Sequence, residues 1–156
     1  MSRSPITREG FTRIREELDR LKREDRVAVI KEIQAARSHG DISENAEYHA
    51  AREKQGWIEA KIRDLETKLA SSEIMDVPKG PKERVCFGAR VKVEDVNTGD
   101  VRVYHLVGPY ESDIELGKIS ITSPLGRAML SKAAGDEVVV QAPGKTTELE
   151  VLEVLE

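Results

Sequence analysis

The sequence predicts a two-domain α+β protein: an N-terminal antiparallel α-helical coiled-coil hairpin over residues 1–76, a linker over 77–83 and a small α+β domain over 84–156. Three observations predict this. Apolar residues recur at coiled-coil spacing in two long segments separated by one short polar turn; a proline and glycine stretch follows the second segment; and beyond it the hydrophobic period drops to two.

In the first arm, Phe11, Ile14, Leu18 and Leu21 follow the alternating three- and four-residue steps of a coiled-coil seam. Continuing that heptad would bring Asp25 and Ala28 into the seam, whereas the next bulky apolar residues are Val27, Ile30 and Ile33. The register is therefore expected to shift there, as at a stutter. The turn follows as Gly40-Asp41-Ile42-Ser43-Glu44-Asn45-Ala46-Glu47-Tyr48, and the seam returns as Ala51, Ile58, Ile62, Leu65 and Leu69, with Gln55 in one slot. Thr7 suits the N-cap of the first helix and Gly40 a left-handed C-terminal cap. Neither arm has an internal proline, and Pro78 and Pro81 lie beyond the second. Each arm is then about 30 residues, on the order of 45 Å at about 1.5 Å per residue.

The boundary falls at Asp76-Val77-Pro78-Lys79-Gly80-Pro81-Lys82. Past it, residues 90–96 alternate apolar and polar, Asn97-Thr98-Gly99-Asp100 reads as a turn, and residues 101–107 return as the partner strand. Ile119-Ser120-Ile121 reads as a third strand, and Ser123-Pro124 opens a short helix through Leu130 with a cap followed by proline at the first helical position. Residues 137–141 and 148–154 complete a five-strand set joined by Pro143-Gly144.

Composition fits a rod joined to a small globule. Of 156 residues, 38% are hydrophobic, 35% charged and only 4% aromatic, which is lean for one large core. Residues 1–75 balance 15 basic against 15 acidic side chains, while 76–156 carry 10 against 14. A net charge of -4 excludes a general nucleic-acid binder, so any RNA contact has to be local. The single cysteine, Cys86, excludes an internal disulfide and is expected to pack in the apolar run Val85-Cys86-Phe87. A polar N-terminus and the absence of a long apolar run predict a cytoplasmic protein without membrane association.

The acidic turn followed by His49-Ala50-Ala51-Arg52-Glu53, together with Ser123-Pro124-Leu125-Gly126-Arg127-Ala128, resembles the GreA/GreB family of bacterial transcript-cleavage factors. The similarity runs from Thr7 to Val154 with both domains in the family's order. It implies an FKBP-like fold for the second domain, which docks on RNA polymerase, and a coiled coil that enters the channel leading to the polymerase active site. It implies that Asp41 and Glu44 are the catalytic, metal-ligating tip pair, and that Arg37 and Arg52 form a small basic patch facing RNA. Ser43 occupies a position that varies in the family, where a basic residue would make the tip more positive. The expected protein is thus a monomeric accessory factor, not an enzyme alone, that binds RNA polymerase and the nascent RNA 3′ end of backtracked complexes and stimulates transcript cleavage.

The chemistry is arguable on its own terms. In-line phosphodiester hydrolysis is served by two divalent cations about 4 Å apart, and magnesium takes oxygen ligands while keeping several waters. Asp41 and Glu44, three residues apart, can aim at one point from a helical face or a tight turn. Two carboxylates alone bind magnesium weakly, so the ion is expected to be shared with the polymerase and not held stably by this chain. The same pair also fits a capping arrangement, with Asp41 as N-cap and Glu44 reaching back to its amide. His39 and His49 flank the turn without a metal-ligand spacing and read as surface residues. Tyr48 suits either stacking on an RNA base or bracing the helix pair, and Trp57 lies further down the arm.

Three other functions bear on this reading. The same architecture could instead serve a channel-binding polymerase inhibitor without cleavage activity; the acidic tip is the discriminating feature, and both carboxylates are present here. A free-standing coiled-coil adaptor would bind no polymerase. Prolyl isomerase activity fits poorly, since the second domain offers only Phe87, Tyr104 and Tyr110 for an apolar proline pocket; residues 123–127 are instead a candidate docking surface.

Overall fold

The structure, a computed structural model, describes residues 3–41 and 45–155. Contacts divide the chain into two compact units, Phe11–Ser71 and a second made of Met1–Gly10 with Ser72–Glu156. The helical unit is a hairpin. Its first arm runs through α1 (Arg8–Arg20), a π-helical turn (Leu21–Asp25) and α2 (Arg26–Arg37), and its second arm is α3 (Ala46–Ala70). Ile14, Leu18, Leu21, Val29, Ile33 and Ala36 are buried against Ala51, Ile58, Ile62 and Leu65, while Gln55 and Leu69 are half-buried.

The register shift falls where the broken heptad pointed, but it delivers different residues to the seam. Val27 and Ile30 are 44% and 40% exposed, and Val29 takes the buried position. The seam therefore resumes one residue later than an unbroken heptad would have it. The extra residue is absorbed by the π-helical turn, in which the Arg26 amide donates to the Leu21 carbonyl five residues back. Counting bulky side chains at sequence level assigned Val27 and Ile30 to the core because it assumed an unwidened turn. Across the seam Arg26 forms a two-pronged ion pair with Glu59, at 2.7 and 2.8 Å. Lys54 meets Glu32 at 3.1 Å.

The globular unit is a five-stranded sheet with one short helix, as the change of period implied. Its strands are β3 (Arg90–Asp95), β4 (Val101–Val107), β5 (Lys118–Ser120), β6 (Glu137–Ala142) and β7 (Lys145–Val154). Their order is β5-β4-β3-β7-β6, with β4–β5 parallel and the other pairings antiparallel. The β3–β4 turn is organised by the Asp95 carboxylate, which accepts from the amides of Asn97 and Thr98. Helix α4 (Pro124–Met129) is capped by Ser123, whose hydroxyl accepts from the Gly126 amide at 3.0 Å, with proline at the first helical position. The core comprises Val85, Val91, Val93, Leu106, Met129, Val138, Val151 and their neighbours. Cys86 does not join it. Val85 turns inward and Cys86 faces solvent, which corrects the expectation of a packed thiol.

A short parallel pair, β1 (Ser4–Ile6) with β2 (Ser72–Ile74), has no counterpart in the sequence reading. Three residues per strand are too few for a period to register. The pair is fastened by Glu111, whose Oε2 accepts from the Thr7 amide at 2.8 Å and the Gly108 amide at 3.1 Å, while the Thr7 hydroxyl donates to its Oε1. Thr7 Oγ1 in turn accepts from the Gly10 amide at 3.0 Å, so Thr7 does cap α1. Arg8 adds a bidentate ion pair with Asp76, at 3.0 and 2.9 Å. Among the described residues no helix is long and apolar enough to cross a membrane.

Candidate functional site

The site grows out of the hairpin turn. Helix α2 ends at Arg37, the amides of Ser38 and His39 close its last turn on the carbonyls of Ala35 and Ala36, and Gly40 adopts φ +108°. That conformation favours glycine and turns the chain out of the helix. Asp41 follows and is exposed. Glu44 lies outside the described residues. The second helix starts at Ala46, and its N-cap is Asn45, in extended geometry (φ −87°, ψ 97°).

Asn45 overturns the reading of Asp41 as helix cap. Its Oδ1 accepts from the Tyr48 amide at 3.0 Å, which fills the role that the Asp-x-x-Glu spacing had suggested for Asp41 and Glu44. Nor does Asp41 lie on a face of α3, since that helix begins only at Ala46. Asn45 also reaches back across the turn, its Nδ2 donating to the Ala36 carbonyl of α2. One side chain therefore adds a second donor to a carbonyl that already takes the His39 amide at the end of one helix and satisfies an orphan donor at the start of the next.

Two further contacts cross the turn. The Arg37 guanidinium lies over the Tyr48 ring, 5.8 Å from its centroid, and Tyr48 is half-buried. His39 Nδ1 is 3.0 Å from Glu47 Oε2, both groups being exposed. His49 meets the Tyr48 ring edge-on at 5.6 Å. Tyr48 and Arg52, four residues apart, lie on one side of α3 by helical spacing, and Arg37 meets Tyr48. Arg52 NH1 donates to Gln55 at 3.3 Å. Among the described residues no group of three or more His, Cys, Asp or Glu side chains is placed to hold a metal. His39 and Asp41 thus form no such group with the other described residues, and His39 engages Glu47 instead.

The Asn45 contacts are the part of the site that sequence reasoning missed. Asn is a strong capping residue, and Asn45 immediately precedes the helical run, so its capping half was open to prediction. Its bond to Ala36 was not, because that depends on how closely the two arms approach. In the globular unit, a cleft of about 240 Å³ beside β3 and β4 is lined by Asp95, Asp100, Arg102 and Lys145 with Tyr104 as its single aromatic. Its polar walls do not make a proline pocket.

Comparison with known proteins places this geometry in context. Residues 4–74 match the family described as "Transcription elongation factor, N-terminal", and residues 80–156 match "Transcription elongation factor, GreA/GreB, C-term". The chain is 50% identical over 152 residues to transcription elongation factor GreA of Thermodesulfovibrio yellowstonii, covering 97% of this chain and 96% of that protein. It is 52% identical over 154 residues to the GreA of Syntrophobacter fumaroxidans, covering 99% of each. A solved structure, GreA factor homolog 1 of Thermus thermophilus, is 27% identical and covers 99% of each chain, with a TM-score of 0.45. With both segments matched and half of its residues identical to those relatives, the chain belongs to the GreA/GreB family of transcription elongation factors.

Proposed function

We propose that this chain binds RNA polymerase and stimulates its cleavage of backtracked nascent RNA, with Asp41 and Glu44 as the working carboxylates. The observation that carries the reading is that Asp41 is exposed at the hairpin turn while Asn45 does the capping. With α3 capped by Asn45, the solvent-exposed Asp41 carboxylate is not the helix cap. The oxygen-only chemistry of Asp and Glu fits magnesium, and the two residues would hold it jointly with ligands of the polymerase. When bound, the ion supplies charge stabilisation for in-line phosphodiester hydrolysis.

The chain's own residues do the rest. Asp41 and Glu44 orient the attacking water by accepting its hydrogen bonds. Arg37 and Arg52 hold the phosphates of the RNA 3′ segment, and Tyr48 supports Arg37 from beneath. The globular unit docks on the polymerase, with residues 123–127 at the start of α4 as the candidate surface. The protein acts as a monomer in the cytoplasm.

The test is magnesium-dependent cleavage of 3′-extruded RNA in a stalled polymerase complex, comparing wild type with Asp41→Asn and Glu44→Gln. Both substitutions should abolish stimulation while leaving polymerase binding nearly intact. Full activity in either one sinks the mechanism. Absence of stimulation by wild type, with binding preserved, would instead identify a channel-occupying inhibitor.

A further inference from the structure

Three side-chain contacts converge on the ends of the acidic loop: Asn45 to the Ala36 carbonyl, Arg37 to the Tyr48 ring, and His39 to Glu47. They differ in reach. The Arg37 and His39 contacts join long side chains with exposed polar ends, which rearrange on the nanosecond scale. Asn45 is different, since its short, half-buried side chain has only two rotatable bonds and uses both ends of its amide. The amide orientation is fixed by the partners themselves: a carbonyl accepts from Nδ2 and a backbone amide donates to Oδ1.

We propose that Asn45 is a positioning residue for transcript cleavage: by tying the last turn of α2 to the first turn of α3, it fixes the span across which the acidic loop is held. This deepens the reading of Asp41 and Glu44 as the working pair and rests on it. Both acidic residues lie in the chain segment between the end of α2 at Arg37 and the start of α3 at Ala46, so the separation of the helix ends is the span this segment has to bridge. The helix cap alone would not set that separation, because it is made within α3. The bond to Ala36 does.

A distinction between cap and tie makes the proposal testable. Asn45→Ser keeps a capping oxygen for the Tyr48 amide but is too short to donate to Ala36, and it adds no charge near the acidic pair. Asn45→Ala removes both functions. In stalled-complex assays Asn45→Ser should cut the maximal cleavage rate on the order of tenfold to a hundredfold and leave the factor concentration at half-saturation unchanged. Without polymerase, the same variant should keep the Tyr48 amide protected from hydrogen exchange while the Ser38 and His39 amides exchange faster.

Wild-type cleavage by Asn45→Ser would reduce Asn45 to a helix cap and overturn the proposal. So would unchanged exchange at Ser38 and His39, whatever the polymerase assay shows. Wild type and Asp41→Asn run alongside, so that failure of the underlying mechanism, with no difference between those two, is told apart from failure of the positioning role.

Discussion

Replacing Glu111 should reveal how much of the globular unit's stability is held by one half-buried carboxylate. Oε2 accepts from two backbone amides, Thr7 and Gly108, and Oε1 takes the Thr7 hydroxyl. A hydrogen bond to a charged group is worth about 1.5–3 kcal/mol, and partial access of water to the two amides reduces the net loss in Glu111→Ala to about 2–3 kcal/mol. Glu111→Gln should cost about 1 kcal/mol or less, since its carbonyl oxygen can occupy the Oε2 position and its NH2 can donate to Thr7 Oγ1. With two units a single unfolding midpoint is not well defined, so residue-resolved hydrogen exchange at Thr7 and Gly108 is the assay. Protection at both amides should fall roughly thirtyfold to a hundredfold in the alanine variant and less than tenfold in the glutamine variant. Equal damage by the two, or wild-type protection in Glu111→Ala, refutes the argument that the acceptor geometry is what matters.

Further outcomes follow from other contacts. The Glu59 carboxyl is held below the usual carboxylate range, first by its hydrogen bond from Arg26. Its stabilisation of the hairpin is therefore complete above the ordinary range and lost as pH falls through the lowered value. Helicity of the hairpin measured against pH should show an acid loss in wild type that is weaker in Glu59→Gln, and identical profiles would refute the linkage. Trp57 is 81% exposed, so Trp57→Ala should change hairpin stability by less than about 0.5 kcal/mol, as read by thermal helix loss; a larger drop would mean the ring covers apolar surface.

The sheet was legible because β3 alternates at its start and the hairpin turns carry their own chemistry, as at Asp95 with Gly99 and at Pro143-Gly144. The seam was legible wherever heptad spacing held, from Ile14 to Leu21 and from Ala51 to Leu65. It misled between Leu21 and Val29, where a widened turn shifted the phase by one residue and moved Val27 and Ile30 outward. Cys86 misled for a related reason: an apolar triplet outside regular structure has no period to say which member faces inward. At the site, Asp41 stood out by charge, while the tie from Asn45 to Ala36 depends on the approach of two segments nine residues apart in sequence.

The π-helical turn acts as an angular setting on the shaft. Each residue in an α-helix advances the chain by about 100° around the axis and only about 1.5 Å along it. Deleting one residue between Leu21 and Asp25 would only close the widened turn into ordinary α-helix, whereas keeping all five residues without the widening would leave the length of the arm almost unchanged but swing the carbonyl of Ala36 and the side chain of Arg37 about 100° away from Asn45 and Tyr48. Val29 and Ile33 would leave the seam with them. The first arm thus encodes a bearing as well as a reach, and one widened turn, far down the helix, keeps Ala36 and Arg37 facing Asn45 and Tyr48.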